Sequence, residues 1–143
     1  LGASAPMPVS DALLNAAQDN DHAAIDMANT WSHGQRSLLG ASENPGTSNL
    51  HVGERLLERV AEDVYFKDFS ACNTFSAEHY PLIGTPALII TGDEDKMTPP
   101  RAGMAVAKML QNSQVAHLVG CGHLMFTELP NQVLDAMSAF IRD

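Results

Sequence analysis

The chain has 143 residues, of which 45% are hydrophobic and 17% are charged, so its length fits one domain and its composition excludes a disordered, collagenous or coiled-coil protein. Eight Lys and Arg against 17 Asp and Glu give a net charge of −9. This charge argues against nucleic acid and anionic membrane surfaces as partners, because both are bound through clusters of positive side chains.

The two cysteines, Cys72 and Cys121, have no C-x-x-C spacing, so the sequence predicts neither a disulfide framework nor a zinc ribbon. A reduced, cytoplasmic protein is the expectation. The apolar runs are only a few residues long, whereas a membrane-spanning helix needs about 20. The charged fraction of 17% is below the roughly 25% usual for a soluble domain, which predicts that something else covers part of this surface.

The sequence pattern of residues 1–80 predicts a strand end followed by a helical layer. Residues 1–9 contain two prolines and predict the end of a core strand that runs into a loop. From residue 10 to residue 80 we expect helices, the first capped by Ser10 and the second by Asp21, which pack as a hairpin. A third helix after a turn-rich loop has an apolar stripe that we expect to be buried. This stripe consists of Val52, Leu56, Leu57 and Val60.

The sequence pattern of residues 81–143 predicts an α/β unit. The apolar run from Ala87 to Thr91 predicts a strand buried on both faces. A helix capped by Thr98 and a second strand from Val115 to Val119 follow. The order of strand, helix, strand and helix requires a right-handed parallel crossover. The last helix begins at Pro130 and is predicted to share one apolar face among Val133, Met137, Phe140 and Ile141.

The loops after the two predicted strands carry groups that could perform catalysis. The first loop holds Asp93, Glu94 and Asp95, and the second holds His123 between small and apolar residues. Because parallel strands end at the same edge of a sheet, we expect these loops to meet. A carboxylate that accepts from an imidazole fixes its tautomer and leaves the other nitrogen free to deprotonate a nucleophile. We interpret Asp93 and Glu94 as solvated loop carboxylates.

The segments GDEDKMTP at residues 92–99 and GCGHLMFTELP at residues 120–130 resemble the C-terminal part of the α/β-hydrolase superfamily. The resemblance implies that Asp95 is the acid and His123 the base of a catalytic triad. It also implies a partial α/β-hydrolase fold, in which a helical lid over residues 10–80 precedes a parallel strand-helix-strand-helix unit of the hydrolase core over residues 81–143.

The family's nucleophile motif, G-x-S-x-G, does not occur in the chain. Ser4 and Ser42 each follow a glycine by two positions, but neither has the closing glycine. The resemblance therefore implies the C-terminal fragment of an esterase- or lipase-like serine hydrolase that acts on small-molecule carboxylic esters and is inactive alone. A missing N-terminal half or a homo-oligomer would complete the sheet. The alternative is a non-catalytic binding or interaction module derived from a hydrolase lid and C-terminal half.

Further candidates are a substrate pocket and a metal site. Next to the triad positions, Met97 and Met125 are predicted substrate contacts, and Trp31 is a candidate from the helical layer. No cofactor or metal is predicted, because the histidines of the helical layer lack metal-ligand spacing and His117, Cys121 and His123 lack a fourth ligand. We expect Cys72 to be an inert, packed cysteine and Glu128 to accept hydrogen bonds in a loop or at a helix start.

Overall fold

The helices of the N-terminal half are followed by a two-stranded parallel sheet in the computed structural model, which describes residues 4–142. The helical half contains α1 (Asp11–Gln18), α2 (Ala23–Ser32), α3 (Gln35–Leu38), α4 (Asn49–Leu57), α5 (Val64–Asn73) and a 3-10 turn (Tyr80–Leu82). The second half contains β1 (Ala87–Gly92), α6 (Pro100–Met109), β2 (Ser113–Leu118), α7 (Met125–Glu128) and α8 (Pro130–Arg142). Residues 4–9 form neither helix nor strand, and the first three positions of the predicted strand end lie outside the described residues.

The helix hairpin predicted at the start of the chain is present. The Ser10 hydroxyl caps α1 by accepting a hydrogen bond from the backbone N–H of Leu13. α1 then packs against α2, and Leu13, Ala17 and Ala24 form the buried centre of their contact. Within residues 4–142, no helix combines the length and the apolar character that crossing a membrane requires.

The predicted buried stripe of the third helix is wrong. Leu56 on α4 is 58% exposed, and Val52 and Val60 are exposed as well. α4 instead buries Asn49 and Gly53, on the side of the helix next to this stripe, and Gly53 lies so close to α2 that a Cβ there would be 2.5 Å from Asn29 Oδ1. Close backbone approach at a glycine therefore decides which face of α4 is buried, rather than the hydrophobicity of its side chains.

The strand predicted to be buried on both faces is β1. It pairs in parallel with β2, from Ala87 opposite Ser113 to Gly92 opposite Leu118. Ile90 packs into an apolar cluster with residues of β2, α7 and α8, whereas Ile89 packs into a second cluster with residues of α6. Neighbouring side chains of a strand point to opposite faces, so helices cover both sides of this sheet.

The apolar face predicted for the last helix is buried only at its beginning. Val133 joins the cluster around Ile90, but Met137 and Ile141 are exposed. The apolar cluster ends at Val133, so the later turns of α8 extend past it.

Candidate functional site

The structure brings Asp95 and His123 together. Asp95 follows β1 and His123 follows β2, and the parallel pairing places the ends of both strands side by side. His123 Nδ1 lies 2.9 Å from Asp95 Oδ2. Asp95 is only 3% exposed, whereas the imidazole remains partly accessible. A partly exposed imidazole paired with a buried carboxylate can transfer protons through its second nitrogen.

Four donors hold the Asp95 carboxylate in place. Oδ1 accepts from the backbone N–H groups of Met97, at 2.9 Å, and Thr98, at 2.8 Å. Oδ2 accepts from the Thr98 hydroxyl at 2.8 Å, in addition to its bond with His123. The imidazole thus faces an acceptor that is fixed in one orientation.

Thr98 takes part in this site instead of capping α6. The N-cap of α6 is Pro99, without a side-chain hydrogen bond, so the predicted cap is wrong. The Thr98 hydroxyl lies 3.1 Å from His123 Nδ1 and therefore touches both members of the pair. The available sequence signal was the spacing of three residues after Asp95, which allows an aspartate to bond the following turn.

We predicted that the two other carboxylates of the first loop are solvated, but both accept hydrogen bonds from backbone N–H groups elsewhere in the chain. Asp93 Oδ1 accepts from the backbone N–H groups of Gly120, at 2.7 Å, and Cys121, at 3.2 Å. Glu94 Oε2 accepts from the backbone N–H of Gln35 at the start of α3. Both carboxylates therefore brace the loops around the Asp95–His123 pair.

A groove of about 570 Å³ extends from His123 between the helical half and the α/β half. Of the predicted substrate contacts, Met97 and Trp31 line it. Met125 does not: it is 2% exposed and belongs to the cluster around Ile90, so this prediction is wrong. The other apolar side chains along the groove include Pro6, Met7, Val9, Leu13 and Phe69.

Two polar groups that sequence reasoning set aside also line the groove. Cys72 is partly exposed there, whereas we expected it to be packed. Ser4 lines the groove as well, but its hydroxyl donates to the carbonyl of Pro6. Neither residue has a hydrogen bond to His123 among those of residues 4–142.

The three residues His117, Cys121 and His123 are not arranged as a metal site. His117 Nδ1 pairs with the Thr91 hydroxyl at 2.9 Å, and His123 pairs with Asp95. Burial, reinforced by the surrounding carboxylates, raises the pKa of the Cys121 thiol to about 12. A protonated, buried thiol is a poor metal ligand and a poor nucleophile.

Another group of side chains comes together at the contact of α2 and α4. Possible ligand atoms of His22, Glu54 and Glu58 all lie within 4.8 Å of one another. Their spacing along the chain did not reveal them because they come from two helices. Glu58 already forms an ion pair of 3.0 Å with Arg55, and the group is open to solvent, so we assign no metal to it.

Solved structures match nearly the whole chain, whereas the sequence relative matches less than half of it. No protein-family model matches the chain. Over 61 residues, 43% of this chain and 23% of the relative, it is 39% identical to a Mycobacterium tuberculosis (strain H37Rv) protein named as a non-heme bromoperoxidase, BpoC. A solved thermophilic esterase matches 99% of this chain and 54% of its own, with 25% identity and a TM-score of 0.79.

A second solved structure gives the same result. MGS-M2, an α/β-hydrolase enzyme from a Medee basin deep-sea metagenome library, matches 96% of this chain and 53% of its own, with 21% identity and a TM-score of 0.68. The chain thus spans about half the length of the solved structures that it matches.

Proposed function

Because this chain has the α/β-hydrolase fold, as its sequence indicated, we propose that it supplies the acid, Asp95, and the base, His123, of a serine hydrolase that acts on carboxylic esters. The observation that carries the proposal is the 2.9 Å contact between His123 Nδ1 and a buried Asp95 carboxylate at the ends of neighbouring parallel strands. The esterase among the structural neighbours supports an ester as the substrate.

The nucleophile belongs, in this proposal, to a part of the protein outside these 143 residues. The chain has no G-x-S-x-G segment and spans about half of its structural neighbours. In this fold the serine precedes the acid and the histidine along the chain. The 143-residue chain alone is therefore expected to be inactive. The missing half would complete both the sheet and the site, whereas a second copy of this chain could complete only the sheet.

The proposed mechanism assigns one task to each side chain. Asp95 accepts the Nδ1–H of His123, which leaves Nε2 to take the proton of the serine hydroxyl as the serine attacks the ester carbonyl. The imidazolium formed at that moment is stabilised by the Asp95 carboxylate. His123 then returns the proton to the leaving alcohol, and the same cycle with water releases the acid.

The groove supports an ester with an apolar group of moderate size. Its volume of about 570 Å³ and its mainly apolar lining suit an acyl or alcohol portion of a small molecule. Trp31 and Phe69 come from the helical half, and Met97 comes from the loop that carries Asp95. In this proposal residues 10–80 act as a lid that selects the substrate and excludes water.

The proposal is tested on the full-length protein that contains this chain, with p-nitrophenyl butyrate as the substrate. We expect His123→Ala and Asp95→Asn to lower kcat by about 10³- to 10⁴-fold, because removing a triad member leaves only the residual catalysis of binding and the oxyanion hole. The matched control is His117→Gln, which removes a histidine on the same sheet that pairs with a hydroxyl, Thr91, and leaves Asp95 untouched.

Two outcomes would contradict the proposal. A folded His123→Ala protein with wild-type hydrolysis would exclude His123 as the base. A full-length protein that binds an ester analogue in the groove without hydrolysing any ester would favour the alternative, a non-catalytic binding module.

A further inference from the structure

The side chain of Glu128 lies where the helical half meets the loop that carries His123. It is 5% exposed. Its Oε2 accepts from the backbone N–H of Gly34 at 2.9 Å and from the Ser37 hydroxyl at 3.0 Å. Its Oε1 accepts from the backbone N–H of Gly122 at 3.1 Å. One buried carboxylate therefore connects the start of α3 to the residue that precedes His123.

These bonds are what makes a buried charge tolerable at this position. A carboxylate removed from water is costly unless donors replace its hydration, and here the donors are two backbone N–H groups and a hydroxyl. Within residues 4–142, the salt bridges include none to Glu128. Glu128 stands just before α8, yet none of its three donors belongs to that helix, so its role is not that of a helix cap.

The same junction holds the backbone of His123 from its other side. The carbonyl of Ser32, at the end of α2, accepts from the N–H of His123 at 2.8 Å and from the N–H of Leu124 at 3.1 Å. At Gly122 a Cβ would lie 2.5 Å from the backbone N of Gly34, so the two backbones touch directly. The helical half therefore determines where the backbone of the histidine lies, whereas Asp95 determines the orientation of its ring.

From these contacts we infer that Glu128 is a positioning residue for His123, an inference that rests on the proposed function. Its carboxylate fixes Gly122 against Gly34, and through Gly122 it sets the distance of the His123 imidazole from Asp95 and from the groove. Glu128 does not line the groove, so its side chain is not placed to touch a substrate there. It acts on the reaction through His123 alone.

The test compares Glu128→Gln with Asn49→Ala in the full-length protein. Glutamine keeps the volume and one acceptor oxygen, so Gly34 and Ser37 retain a partner while Gly122 faces an amide N–H₂. The control residue Asn49 is also buried at this junction, where its amide donates to the Thr127 carbonyl at 3.2 Å and to Ser37. Its removal loosens the junction without touching Gly122.

We expect Glu128→Gln to lower kcat by about 10- to 100-fold with KM changed less than about twofold, because small displacements of a catalytic group have effects of this size. The second readout is the low-field ¹H NMR signal of the His123 Nδ1 proton, which we expect to move upfield as its bond to Asp95 lengthens. Asn49→Ala is expected to lower the melting temperature while both kcat and this proton signal stay at their wild-type values.

Equal losses of kcat in both variants, or an unchanged proton signal in a folded Glu128→Gln protein, would overturn the inference. If Glu128→Gln does not fold, Glu128→Asp decides, since it keeps the charge but is one methylene too short to reach both sides. The proton signal separates this inference from the proposed function: it reports the His123–Asp95 geometry even in a protein whose hydrolysis does not depend on His123.

Discussion

Asp95 and Cys121 lie in two loops that meet, yet their surroundings give their side chains opposite chemistry. The Asp95 carboxylate accepts hydrogen bonds from four donors, which fix its orientation. The Cys121 thiol is fully buried among apolar side chains and near several carboxylates, and both effects oppose a thiolate. The local surroundings thus make Asp95 a fixed hydrogen-bond acceptor and leave Cys121 an unreactive thiol.

At the residue scale we predict selective alkylation of one cysteine. With a pKa raised to about 12, Cys121 stays protonated at neutral pH, whereas Cys72 is partly exposed in the groove. Iodoacetamide at about pH 8 should modify Cys72 and leave Cys121 unmodified in the folded protein, because the thiolate is the reactive form. Mass spectrometry of tryptic peptides measures both sites, and the unfolded protein in guanidinium, where both should react, is the control. Equal labelling in the folded state would contradict the prediction.

At the scale of secondary structure, the backbone at the end of β1 packs directly against the backbone of the loop after β2. A Cβ at Gly92 would lie 2.3 Å from the carbonyl oxygen of Cys121 and 2.7 Å from that of Gly122. Neither carbonyl belongs to a flexible side chain that could move aside. The approach of the two loops that carry Asp95 and His123 therefore requires a glycine at position 92.

We predict that Gly92→Ala lowers the free energy of unfolding by about 1–3 kcal/mol or more, the usual cost of forcing atoms into a packed site. The control is Gly84→Ala, where the nearest atom to the new Cβ is the side-chain Gln111 Oε1 at 3.6 Å. Chemical denaturation of both variants in the full-length protein, where we expect cooperative unfolding, gives the two free energies. Equal stabilities would show that the loops can separate without cost.

At the scale of the whole molecule, the sheet is small for the helices that surround it. Within the described part of the chain, β1 and β2 pair only with each other, so each strand has one edge without a strand partner. Unpaired edges and exposed apolar side chains favour association with another chain. Exposed Val52, Leu56 and Ile141, together with the low charged fraction of 17%, agree with the expectation that part of this surface is covered.

We therefore predict that the 143-residue chain by itself associates or unfolds without cooperativity, and that the full-length protein unfolds cooperatively at a higher temperature. Size-exclusion chromatography with light scattering and thermal denaturation measure the two properties. A monodisperse, cooperatively unfolding monomer of the 143 residues would count against it, since such a chain would need nothing to complete its sheet.

The choice of Asp95 among the three carboxylates of its loop came from the resemblance to the α/β-hydrolase superfamily. Local sequence patterns were sufficient for the strands, the helix hairpin and the meeting of the two loops that carry Asp95 and His123. Each of these depends on short-range periodicity or on the rule that parallel strands end at one edge. The contact itself spans 28 residues, but the topology of two strands and one crossover leaves little freedom in how it forms.

The tertiary structure alone decided which face of α4 is buried, the inward turn of Met125, the use of Thr98 at Asp95 and the position of Glu128. The contacts of Glu128 join residues 91 and 94 positions apart in the chain. Periodicity describes one element at a time, whereas these features depend on the rotation and close approach of separate elements. That approach is set by the contact of Gly53 with the Asn29 side chain and by the backbone-to-backbone contact of Gly122 with Gly34. A glycine carries no side chain from which a pattern could reveal it.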